Sequence, residues 1–258
     1  MEVISKIVAA LRQAKLPPTY GFVNAQWTES EPDKIAVLRA WRDAGNPLGN
    51  HTWSHMNLDA NPLDAFERDV ARNEPLVSEL MKNEDWHWFR FPFLVEGNTP
   101  EKKNGIRSYL GKHGYKIAGV TMSFGDYLWN EPYARCKTKE DEKSVRRLEA
   151  SYLRAAKSSA DYSREMSNRL FHRDIPYVLL MHVGAFDAQM LPRLLAVYQK
   201  QGFQFVTLEQ AESDKFYAND VNLALPPSAD SLEKVMAERG LPLPAHPSPT
   251  PPPDAVCR

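Results

Sequence analysis

Strand-length apolar runs alternate with amphipathic helical stretches along most of this chain, and that alternation points to a parallel α/β architecture. Val3, Ile4, Ile7, Val8 and Leu11 recur at helical spacing, so the sequence opens in a helix. Residues 20–23 read as a strand, 32–44 as a helix capped by Gly45, and 47–50 as a short strand running into His51. Asn61 and Pro62 read as the cap and first position of a helix to about Met81, which Pro75 should kink or break. Strands are expected at 86–91, 116–122, 176–182 and 203–207. Helices are expected from Thr99-Pro100 to Gly114, over 140–170 and over 186–201. The first helix has no strand before it, which hints at a missing start, because a barrel closes to remove sheet edges.

The 258 residues suffice for one large domain, and the pattern weakens only from about Asp214. Residues 242–253 are proline-rich and expected to be disordered. With 43% apolar and 25% charged residues the composition is that of a globular protein, and the net charge of −1 offers no basic excess for nucleic acid. No apolar run approaches the ~20 residues of a membrane span. The opening MEVISKIVAAL carries Glu2 and no small-residue cleavage site, so it does not read as a signal peptide. Cys136 and Cys257 make neither a disulfide framework nor a metal cage, and Cys257 is expected to be a free thiol.

Four segments could carry chemistry. His51-Thr52-Trp53-Ser54-His55 follows a strand, and a spacing of four puts both imidazoles on one face if the segment turns helically. Two neutral imidazoles can chelate a divalent cation, zinc most often; the alternative is a pair of surface or core histidines. Arg90, in Phe89-Arg90-Phe91-Pro92-Phe93, could orient a carboxylate or make a structural salt bridge. His182 ends the most apolar strand, where it reads as a general acid or a satisfied core histidine. Asp126 could orient a histidine or be a solvated turn residue. Trp53, Trp86, Trp88, Phe89, Phe91, Phe93 and Trp129 crowd the same region; sugar rings stack on such faces, although core packing suits most of them better.

Taken in order, these segments resemble the polysaccharide deacetylase family, the NodB-homology domain of carbohydrate esterase family four. His51 and His55 match its H-[ST]-x-x-H motif, Arg90, Pro92 and Phe93 its R-x-P-[YF] motif, and Leu180 and His182 its L-x-H motif. Asp126 and Trp129 match its fourth motif loosely. The resemblance covers residues 1–210 or so and implies a distorted (β/α)7-type barrel over 1–212, followed by an extension over 213–258. It implies a hydrolase that removes N-acetyl or O-acetyl groups from a polysaccharide or amino-sugar oligomer. A divalent metal, zinc by preference, would be held by His51, His55 and an aspartate. Arg90 would hold the base, and the Phe93 N–H would stabilise the oxyanion. Trp129 and Leu180 would lie near substrate, and His182, supported by Asp126, would protonate the leaving amine.

The family's first motif, T-F-D-D-G on the first strand, supplies the base and the third metal ligand, and no adjacent aspartate pair occurs in this chain. The expectation is a barrel lacking its first strand, with weak metal binding and little or no deacetylation. Asp59 and Asp126 are the carboxylates to consider as substitutes. The other readings are a non-catalytic barrel that binds a glycan or partner, and a metal-dependent amidase acting on a small amide. A signal peptide on a lost upstream segment would make the protein periplasmic or extracellular; otherwise it is expected in the cytoplasm.

Overall fold

The computed structural model describes residues 1–227, 231–248 and 252–257. Its elements run α1 (Glu2–Gln13), β1 (Gly21–Val23), α2 (Trp27–Ser30), α3 (Ile35–Asp43), β2 (Leu48–Asn50), α4 (Leu63–Met81), β3 (Trp88–Phe89), α5 (Pro100–Lys112) and β4 (Lys116–Ile117). They continue with α6 (Asn130–Thr138), α7 (Glu142–Phe171), α8 (Ala185–Lys200), α9 (Leu208–Glu212), α10 (Ala218–Val221) and α11 (Leu232–Glu238). The chain divides into two compact units: residues 17–119 with 206–230, and residues 2–16 with 120–205 and 231–258.

In the first unit the strands form one parallel sheet in the order β1-β2-β3-β4, with Val23 opposite Asn50 and Asn50 opposite Phe89. Sequential order with helical crossovers is what the α/β alternation predicts. Gly49 is required in β2, because a Cβ there would lie 2.6 Å from the Trp88 carbonyl oxygen. Phe66 and Val70 of α4, Ile106 and Leu110 of α5, and Phe89, Phe91, Tyr115 and Ile117 pack into one buried cluster. Trp53, Trp88, Phe89 and Phe91 are therefore core residues, whereas Phe93 is 59% exposed.

In the second unit α7 is the central helix, opened by Asp141, whose side chain accepts the Ser144 N–H. It buries Val145, Leu148, Tyr152, Ala156 and Met166.

The structure departs from the sequence expectation at four places. Pro75 does not break α4, because it and Ala71, the residue whose carbonyl it leaves without a helical donor, both face solvent. The expected strand at 176–182 is reduced to one parallel bridge between Met122 and Leu179, since the Val178 amide donates to the Thr121 hydroxyl instead of to a ladder. Residues 203–207 form no strand. The Phe203 N–H closes the end of α8 on the Tyr198 carbonyl, and Thr207 caps α9 in a capping box with Gln210.

The fourth departure is at the carboxyl end. Cys257 is not a free thiol: it is bonded to Cys136, with a Cα–Cα distance of 5.3 Å. Arg135 donates to the carbonyls of Asp254, Val256 and Cys257, and Arg169 to that of Pro242. The described part of the proline-rich segment is thus fastened to the second unit, while residues 249–251 of that expectation lie outside the described residues.

Candidate active site

In the first unit the candidate residues gather at the carboxyl ends of the strands, where sites of parallel α/β folds form. His51 follows β2 directly, and Arg90 follows β3. The His51–His55 segment is not helical. Thr52 (φ 61°) and His55 (φ 57°) both adopt the left-handed conformation, and the resulting tight loop brings the two rings to 4.8 Å between centroids. A left-handed backbone is unfavourable for both residue types, so packing must impose it.

That packing comes from α4. Asp69 takes the Ser54 N–H and hydroxyl on its carboxylate, each at 3.0 Å, and its carbonyl takes the Trp53 N–H. Below the loop, the Asn50 amide donates to the Val70 carbonyl and the Tyr115 hydroxyl, while its oxygen accepts from Thr52 and Asn73. Asn73 in turn donates to the Val23 carbonyl (2.6 Å) and accepts the Ala25 N–H. This buried network ties β1, β2 and α4 together beneath the histidine loop. Sequence reasoning missed Asn50, Asp69 and Asn73; the only signal was polar residues on the otherwise apolar side of α4.

His51 Nδ1 lies 2.7 Å from the Arg90 carbonyl oxygen. A carbonyl only accepts, so Nδ1 carries the proton and the ring's lone pair is on Nε2. The Phe93 ring sits edge-on to His55 at 4.5 Å, and Phe93 has φ 58°.

Arg90 does not hold a carboxylate directly. Its Nε donates to the Ala118 carbonyl (3.3 Å) and its guanidinium covers the Phe22 ring at 4.3 Å. The other side of that same peptide group, the Gly119 N–H, donates to Glu212 (2.9 Å). Glu212 is 1% exposed, and its second carboxyl oxygen is buried without a hydrogen-bond partner. Burial, and then the charge of Asp220, push its carboxyl up to about 9, while burial pulls Arg90 down to about 10 against the charge of Glu212. Glu212 was not legible in the sequence, being one acid among several in a short helix.

In the second unit His182 Nδ1 meets Asp126 Oδ1 at 2.9 Å, and the His182 backbone N–H donates to Oδ2 at 2.6 Å. Asp126 is wholly buried, while the His182 side chain is 44% exposed. This is a buried carboxylate orienting a half-exposed histidine, not a solvated turn residue or a core histidine. Tyr127 lies edge-on to the His182 ring at 5.0 Å. Trp129, expected near substrate, is wholly buried, and its indole N–H donates to Ser151, so it backs the Asp126 turn without presenting a face to a ligand. Leu180 donates its N–H to the Met122 carbonyl, extending the Met122–Leu179 bridge that precedes His182.

The donor chemistry of the first unit fits a divalent cation in part. Two imidazoles lie edge-on to each other, but among the described residues no three His, Cys, Asp or Glu side chains cluster as a metal site. Asp59 does not complete such a group, although its Oδ1 is buried without a partner. A catalytic zinc takes three protein ligands, and this donor set falls short of that.

The polysaccharide deacetylase family model matches residues 1–118. An uncharacterized 30.6 kDa protein of Geobacillus stearothermophilus, from the fumA 3′ region, is 25% identical over 127 residues, or 49% of this chain and 44% of that protein. The chain thus matches less than half the length of that curated relative. Among solved structures, a polysaccharide deacetylase of Bacillus cereus aligns with a TM-score of 0.59 at 16% identity, covering 84% of this chain and 92% of that one. The family 4 carbohydrate esterase of Streptomyces lividans in complex with acetate aligns at 0.53 with 17% identity, over 82% and 90% of the two chains. A family 4 pseudoenzyme of Bacillus anthracis aligns at 0.56 with 15% identity, over 81% of this chain and 60% of that one. Over residues 1–118 the chain is similar to the polysaccharide deacetylase family, and its fold is that of the family 4 carbohydrate esterases among these structures.

Proposed function

We propose that this protein is a deacetylase-type hydrolase of N-acetylated (or O-acetylated) glycans whose metal centre is incomplete. The observation that carries the reading is the adjacent pair His51 and His55 at the end of β2, with His51 oriented by the Arg90 carbonyl. On this reading His51 and His55 supply two ligands to a divalent cation, zinc by preference, which when bound would polarise the acetyl carbonyl. The Phe93 N–H serves the oxyanion, and His182, oriented by Asp126, gives its proton to the leaving amine. No adjacent aspartates supply the base and third ligand, so slow turnover and weak metal binding follow.

A non-catalytic glycan-binding role is the second reading, favoured by the same missing carboxylates; one solved neighbour is itself a pseudoenzyme with a mutant of restored activity. The Cys136–Cys257 bridge supports a working place outside the reducing cytosol. The test is acetate release from N-acetylglucosamine oligomers. Slow release, stopped by chelator and abolished by His182→Ala, is expected. Glycan binding with no release, unaffected by His182→Ala, would establish the binding module instead.

A further inference from the structure

In the second unit, residues 252–257 are held by few contacts of their own. Among them Pro253 alone is buried; Pro252, Asp254 and Ala255 are exposed, and Val256 and Cys257 are half-buried. The polar anchor is one side chain of α6. Arg135 donates from Nε to the Cys257 carbonyl at 3.1 Å and from a terminal nitrogen to the Asp254 and Val256 carbonyls, each at 3.3 Å. The covalent anchor is the next residue of α6, the wholly buried Cys136. Cys257 has φ 54°, a left-handed backbone that is unfavourable for a residue with a side chain. Ordering the whole segment for one buried proline and those hydrogen bonds is not favourable on its own. The cross-link supplies the difference, because it confines the segment beside α6 before the backbone orders.

The segment lies against the part of the fold that positions His182. Its Pro253–Ala255 turn packs on the Asp126–Trp129 turn, which runs directly into α6. That second turn is opened by Gly125 at φ 67° and carries the Leu128 N–H to Gly125 carbonyl bond. It holds Asp126, whose carboxylate takes the His182 ring at 2.9 Å and the His182 N–H at 2.6 Å. We propose that residues 252–257 are a strap over the Asp126–Trp129 turn, with the Cys136–Cys257 bond as its redox-sensitive clasp. Closed, the clasp keeps Asp126 in place to orient His182; opened by a dithiol reductant, it releases the strap and loosens the turn. In the opening step the dithiol gives up two electrons and two protons. The Sγ–Sγ bond breaks, both cysteines become thiols, and the reductant closes into its own disulfide. The consequence for turnover rests on the reading of His182 as the acid of the reaction, whereas the bracing of the turn does not.

The test is amide hydrogen exchange on the full chain without substrate, oxidised and after dithiothreitol, with the free thiols counted. It therefore stands apart from whether the protein deacetylates anything. Reduction is expected to speed exchange at residues 126–130 and at the His182 N–H by about tenfold or more beyond any acceleration in α4 of the first unit. Cys257→Ser should show the same fast exchange without reductant and no response to it. If that variant does not fold, the reduced parent decides the question. Unchanged exchange at 126–130 and His182 once both thiols are free would overturn the proposal. So would an acceleration there no greater than that in α4, which would make the bond a brace of the whole fold and not of this turn.

Discussion

The Nδ1 of His51 meets the carbonyl oxygen of Arg90 at 2.7 Å, so two motifs that are 39 residues apart are joined by one hydrogen bond. The bond fixes the ring's tautomer and leaves the lone pair on Nε2, the atom that the proposed function assigns to a cation. Arg90 therefore contributes to the histidine pair through its backbone, and its guanidinium does separate work at the Ala118 carbonyl.

Asn73→Ala should destabilise the first unit by about 1–3 kcal/mol, because it removes the acceptor of the buried Ala25 N–H and takes one of the two donors from the Val23 carbonyl and from the Asn50 side-chain oxygen. Urea unfolding measures this, and an unchanged midpoint would remove the network from the account.

Glu212 carries a pH dependence of definite sign. Its folded-state carboxyl is raised from 4.5 to about 9, so its contribution is fully present below pH 4.5 and is lost as pH rises toward 9. The slope over that window is about 1.4 kcal/mol per pH unit if this group acts alone. Glu212→Gln should flatten the loss, making the variant more stable than the parent at pH 8.5 and nearly equal at pH ~4.5. Thermal unfolding at the two pH values reads the difference; a variant less stable at both would show that Glu212 is ionised beside Arg90.

The Cys136–Cys257 bridge spans 121 residues of sequence and fastens the carboxyl-terminal segment to α6. Cys257→Ser should lower stability by about 2–4 kcal/mol under oxidising conditions and make the protein indifferent to dithiothreitol. Equal unfolding midpoints for parent and variant would exclude a stabilising role.

How much of this was legible in the sequence follows from which signals are local. The first four strands and the long helices could be read because apolar period and caps are local: Thr99 with Pro100 opens α5, and Gly45 follows α3. The segment 203–207 misled because its apolar residues look like a strand, while both of its ends are committed to helix termini. His51 and His55 were found by spacing, but for a reason the structure replaces: left-handed residues, not a helical turn, bring them together. Asn73 and Glu212 were out of reach. Their roles depend on burial and on partners 23 to 93 residues away, which no local pattern records.

The histidine pair is the centre of the account, and zinc titration of the full chain by calorimetry tests it most directly. Weak binding of close to one equivalent, lost in both His51→Ala and His55→Ala and kept in His182→Ala, is the expected result. Zinc binding that survives both substitutions, or none at any concentration in the parent protein, would contradict it.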